Sequence, residues 1–205
     1  MGVVRVGTLY DFRKEEHKRG ISDPTEGKNQ VYAPLKGTFR GEDLLPPVFD
    51  AFNIKILPNA KVTFKSSVAE RRFDSDDAYV YCFSSVLSQP TMREMGDADS
   101  CFAIRDVSNF IQVLDRTLTS VTGARLVTVD SVTYQERRQE WNGKDWGPYG
   151  PLVKEPGFRE QHEVRAVWAS TMPGPISPLV VGSSELMRQC VRSSPPHRFG
   201  ATQGA

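Results

Sequence analysis

The chain has 205 residues and a formal net charge of +1, which excludes binding to nucleic acid through bulk basicity but leaves a local basic patch open. A hydrophobic share of 39%, with 14 prolines and 16 glycines, fits one domain with a modest core and long irregular connections. Met1-Gly2-Val3-Val4-Arg5 lacks the apolar core of a signal peptide, and no stretch approaches the roughly 20 apolar residues of a membrane span. The expectation is a soluble, cytoplasmic protein with no membrane partner; oligomeric state is not legible.

Val3 to Tyr10 is β-rich and alternates loosely, which predicts a first strand. It runs into the mixed-charge stretch Arg13 to Arg19, then Gly20 and Asp23-Pro24, which predict a solvated loop through Gly27. Val31-Tyr32, Asn53 to Leu57 and Lys61 to Lys65 are short strand candidates, with Ile54, Ile56, Val62 and Phe64 facing inward. Pro58-Asn59 reads as a hairpin turn between the last two. Ala78 to Ser85 is almost continuously apolar, aromatic and β-branched, as a central strand covered on both faces would be.

Ser100 to Ile104 predicts another strand. Asp106 has the placing of an N-cap for a helix whose apolar stripe is Phe110, Ile111, Val113, Leu114 and Leu118. Ala124 to Tyr134 alternates as a strand, and the glycines, prolines and Trp146 between Gly143 and Gly157 predict a long loop of the kind that is usually functional or disordered. His162 to Trp168 is the next strand, Pro173 to Pro178 punctuate, and Leu179 to Val181 is a short strand. Ser183 caps a brief helix through Val191, and the segment from Ser193 onward reads as a disordered tail. The expected fold class is α+β: split, mainly antiparallel sheets with a few flanking helices, one domain over 1–192 and a tail over 193–205.

Cys82, Cys101 and Cys190 have no paired spacing, and His17, His162 and His197 lie far from them, so a zinc site cannot be assembled. Ser84 and Ser85 end the central strand where side chains emerge at the sheet edge; they either hold a ligand or carboxylate, or cap the strand. Glu163, three residues after Glu160, is embedded in apolar neighbours with Arg165 alternating back. The pair is either structural or a carboxylate held to stabilise a cationic sugar transition state. Tyr10 offers a stacking face and Arg13 a fork for phosphate, although Arg13 also opens a mixed-charge run that reads as a solvated face. Glycine-rich phosphate loops, zincin and hydrolase motifs are missing.

Arg5 to Arg13 with Asp23-Pro24-Thr25-Glu26-Gly27, Tyr81 to Ser85, and Phe158 to Arg165 together resemble the signature segments of an uncharacterised bacterial family, some members of which are linked to abortive infection and phage defence. Gln161-His162 here widens the glutamate spacing by one. The same order resembles ADP-ribosyltransferases, including the toxin class that modifies DNA bases. That resemblance implies NAD as substrate and a macromolecular acceptor (protein, DNA or RNA), with Glu163 and Ser84 as catalytic residues. Arg5 or Arg13, Tyr10 and Ser85 would bind the cofactor across a split between two small sheets. The sequence departs in lacking the threonine of the central motif.

The alternative is a non-catalytic binding or inhibitor protein. Phe39, Phe49, Trp141, Trp146 and Tyr149 lie in irregular segments, where aromatics suit a protein or nucleic-acid partner, or else cover the sheet as an outer layer.

Overall fold

The structure is a computed structural model that describes residues 3–14, 22–94 and 100–193. In chain order it has β1 (Val3–Thr8), α1 (Leu9–Phe12), β2 (Lys28–Arg40), α2 (Pro47–Ala51), β3 (Lys61–Asp74), β4 (Ala78–Ser84), α3 (Gln89–Glu94) and β5 (Cys101–Ile104). There follow α4 (Val107–Thr122), β6 (Arg125–Ser131), β7 (Thr133–Tyr134), β8 (Arg138–Glu140), β9 (Val153–Lys154), β10 (Glu163–Ala169), β11 (Leu179–Gly182), α5 (Ser184–Arg188) and β12 (Cys190–Ser193). Mixed α+β content, several mainly antiparallel sheets and few helices match the expected class.

The largest sheet runs β11-β1-β4-β10-β6, with β4 at its centre, and β10 lies antiparallel to β4 from Glu163↔Ser84 to Ala169↔Ala78. One face presents Val6, Tyr79, Ala166 and Trp168 to α4, which buries the stripe Phe110, Ile111, Val113, Leu114 and Leu118. Burying this stripe at helical period against a pleated face is what selects helix over strand here. Asp106 accepts the Asn109 amide at 2.9 Å as N-cap, and Gly123 ends the helix in the left-handed region. The opposite face packs Leu9, Ala78, Val80 and Val167 into a smaller cluster. Polar side chains of β10 and β1 share that face with it.

A second sheet, β3-β2-β8, carries its own core of Leu35, Phe49 and Ala69. Here the structure extends the expectation. Val31, Ala33, Leu35 and Phe39 alternate inward over thirteen residues of β2, a period that Pro34 and Gly37 interrupt in the sequence. β2 keeps its alternation through both residues, and the register shift opposite Leu35 and Gly37 places an extra residue on β3. Asn53 to Leu57 forms no strand, so the turn at Pro58-Asn59 leads into β3 from a loop. The helix after Ser183 stops at Arg188, and Cys190–Ser193 pairs with β5 instead of continuing it. Of the predicted tail, Ser193 ends β12 and residues 194–205 lie outside the described residues, as do residues 15–21 of the predicted loop. No helix among the described residues is long and apolar enough to cross a membrane.

Candidate functional site

Alternation along β10 puts Glu163, Arg165 and Val167 on the face away from α4, in register with Ser84, Cys82 and Val80 of β4. Gly7 of β1 pairs with Val80, and Arg5 lies two residues further along the same face. A Cβ at Gly7 would come within 2.6 Å of the tip of the Phe12 ring, which lies over the strand, so any side chain there would displace that ring. Of these, Arg5, Gly7, Phe12, Val80, Cys82, Glu163 and Arg165, together with Glu26, Lys154 and Gln161, line a cavity of about 200 Å³.

The floor of the cavity is an ion network. Arg165 donates from Nε to Glu163 Oε1 at 2.5 Å, and from its two terminal nitrogens to Glu26 at 2.6 and 3.0 Å. It also donates to the Pro151 carbonyl at 2.6 Å. Lys154 donates to Glu163 Oε2 at 2.8 Å and to Gln161 Oε1 at 2.7 Å. All five side chains are buried. A buried charge persists only when paired and hydrogen-bonded, and the planar fork of arginine is what lets one cation hold two carboxylates.

Local structure aims these groups. His162 takes the left-handed conformation (φ 43°) that turns the 3₁₀ segment Pro156–Gln161 into β10, and the Glu163 amide donates to the Tyr134 hydroxyl at 2.7 Å. Burial alone would raise the Glu163 carboxyl, but Arg165 and Lys154 outweigh it and hold the group down at about 2. Glu163 is therefore ionised throughout the neutral range. Burial and the neighbouring Glu163 carboxylate push the Cys82 thiol up, so it stays protonated beside that carboxylate. Burial works against the Arg165 cation, yet Glu26 and Glu163 keep it charged.

The predicted site residues divide. Glu163 and Arg5 share the cavity; Arg5 stands half exposed at its mouth, paired with Asp11. Ser84 is level with Glu163, but its hydroxyl donates to the Val86 carbonyl at 2.8 Å and accepts the Val86 amide at 3.1 Å. It caps the strand, and Lys154, Arg165 and Tyr134 do the orienting that was expected of it. Ser85 donates to the His162 carbonyl at 3.1 Å, supporting the turn into β10 from an exposed position outside the cavity.

Arg13 is engaged elsewhere, with the Glu26 carbonyl at 2.7 Å and Asp74 at 2.6 Å, and it stacks on the Tyr10 ring at 4.1 Å. Tyr10 faces a separate cleft of about 610 Å³ beside Asp76, Asp77 and the proline-rich segment 173–178. Neither Tyr10 nor Arg13 lines the cavity. The solvated loop is corrected in its described part: Asp23 and Glu26 are buried, because Arg137 pairs with Asp23 at 2.6 Å and Arg165 with Glu26. Glu26, Lys154, Gln161 and Tyr134 were not singled out from sequence as site residues. Glu26 and Lys154 stand in segments with no period of their own and Tyr134 only ends the predicted strand, although Glu26 and Gln161 fall inside the Asp-Pro-Thr-Glu-Gly and Phe158 to Arg165 segments.

Of the aromatics expected in irregular segments, Phe39 lies in β2 and Phe49 in α2, and all but Tyr149 pack against neighbouring rings. Phe39, Phe49 and Phe64 meet at centroid distances of 4.8 to 6.1 Å, and Trp146 contacts Phe52, Phe73 and Trp141 at 5.2 to 6.0 Å. They form the outer layer of the second sheet, and Tyr149 alone of the five expected contact aromatics is exposed. Comparisons with protein-family models, with curated proteins and with solved structures found no match.

Proposed function

We propose that the cavity takes the nicotinamide–ribose end of NAD and that the protein transfers ADP-ribose to a macromolecular acceptor. The observation that carries this reading is that Arg5 and Glu163, far apart in sequence, line one cavity in which Glu163 is buried and ionised. A cavity of about 200 Å³ is below the usual size for a whole drug-sized ligand, so the pyrophosphate would extend past the mouth, where Arg5 stands. An ionised carboxylate offers about four lone-pair sites; Arg165 and Lys154 take two, leaving room for a ribose hydroxyl. As the bond from C1′ to the nicotinamide nitrogen breaks, its electron pair neutralises the pyridinium. The sugar becomes cationic, and Glu163 opposes that charge without reorganising. A lone pair of the acceptor then forms the new bond to C1′, and its proton leaves to solvent.

A second reading, a non-catalytic binding protein, draws on the same network. Glu26 and Glu163 are matched by Arg165 and Lys154, so the floor is neutral and stable without ligand. Two measurements separate the readings. With NAD, the wild type is expected to melt at a higher temperature and to release nicotinamide. Glu163→Gln should slow release by at least about 100-fold, while Arg5→Ala, a half-exposed change that leaves the fold intact, should weaken the NAD-induced melting shift. Wild-type protein that neither shifts nor releases nicotinamide overturns the transferase reading.

A further inference from the structure

β6 forms one edge of the five-stranded sheet, and among the described residues no strand pairs with its outer side. It is a poor edge to leave in water. Arg-Leu-Val-Thr-Val-Asp-Ser is rich in β-branched residues, has no proline or lysine, and exposes Leu126, Val127 and Val129. Natural sheets blunt such edges with lysine, proline or very short strands, as at the opposite edge, where four-residue β11 follows a proline-rich segment. Besides the charges of Arg125 and Asp130, β6 is protected only by the register shift facing Val167 and Trp168, which leaves Val127 as an extra residue.

The edge is complementary to itself. Arg125 and Asp130 lie near its two ends, and neither forms an ion pair with another described residue. In an antiparallel pairing of two copies centred between Val127 and Thr128, Arg125 of each faces Asp130 of the other, and Leu126 faces Val129. The faces agree as well. Arg125 and Asp130 both project on the cavity side, opposite Ala169 and Arg165, whereas Leu126 and Val129 both project on the α4 side, opposite Trp168 and Ala166. Each cross-strand pair therefore meets on one side of the joined sheet. The extra twist at Val127 is the same in both copies, so a two-fold axis between Val127 and Thr128 keeps the edges matched.

We propose that the protein self-associates through β6, joining two five-stranded sheets into one continuous sheet, with paired Arg125–Asp130 contacts setting the register. This is independent of the chemistry assigned to the cavity. Sedimentation equilibrium of the full chain is expected to show a dimer. Arg125→Asp or Asp130→Arg alone places like charges opposite each other twice, and each should weaken dimerisation by roughly tenfold or more. The double variant Arg125→Asp/Asp130→Arg restores opposite charges and should restore the dimer, with far-ultraviolet circular dichroism confirming the fold of all three. As a check without substitutions, hydrogen exchange of the β6 amides should slow as protein concentration rises through the dissociation constant. A wild-type monomer with concentration-independent exchange overturns the proposal. So does a dimer indifferent to the single reversals, or one that the double variant fails to restore.

Discussion

Glu163 has two cations within hydrogen-bond reach, and the balance between burial and those cations makes the protein's stability depend on pH in a defined window. Its carboxyl falls from an ordinary value of 4.5 to about 2 in the folded chain. A depressed carboxyl stabilises the fold above the unfolded value and loses that contribution as pH falls through the folded one. Between about pH 5 and about pH 2, urea titrations should show the wild type losing roughly 3 kcal/mol that Glu163→Gln does not lose. Equal slopes for the two proteins would contradict the ionised assignment. Arg165 gives a sharper test, because Arg165→Met leaves both Glu26 and Glu163 buried without their shared cation. The expected cost is about 3–5 kcal/mol in urea unfolding at neutral pH. Arg165→Lys should recover little of it, since one ammonium cannot span Glu26, Glu163 and the Pro151 carbonyl.

At the scale of elements, α4 backs the face of the sheet opposite the cavity, so the stability of the helix is the rigidity of the site's support. Asp106→Ala removes the side-chain acceptor for the Asn109 amide and should cost about 1 kcal/mol, read as a lowered urea midpoint with unchanged slope. The cap, the stripe from Phe110 to Leu118 and the central position of β4 are all legible in the sequence. Each rests on a period or composition that one segment carries alone. β2 is less so, because Pro34 and Gly37 read as strand breakers in a segment that the fold nevertheless runs as one strand. The buried network is the least legible. Glu163 and Arg165 show themselves by sharing one strand, but Lys154 sits in what reads as a glycine- and proline-rich loop. Glu26 sits in a segment whose charges read as solvated. Their burial follows from pairing with residues more than a hundred positions away in one case and nine in the other, and no local pattern encodes that.

At the scale of the whole molecule, the turn from Asp23 to Gly27 is where the two main sheets are tied. Asp23 binds Arg137 just before β8, Glu26 binds Arg165 in β10, and the Glu26 carbonyl holds Arg13. β2 begins directly after it, and the Gly27 carbonyl accepts the Ser75 amide just after β3. The second sheet is thus anchored to the first through a few buried polar contacts rather than a shared apolar core. The two clusters on the faces of the large sheet are distinct from the Leu35–Phe49–Ala69 cluster. A junction of that kind opens locally before the cores melt. Glu26→Gln keeps the shape but loses the charge that Arg165 requires. Hydrogen exchange should speed at least about tenfold at the start of β2 and around β9, while the amides of α4 change little. Uniform acceleration across α4 and β2 would instead mean that the molecule opens as a single cooperative unit, with the Glu26–Arg165 contact part of one core.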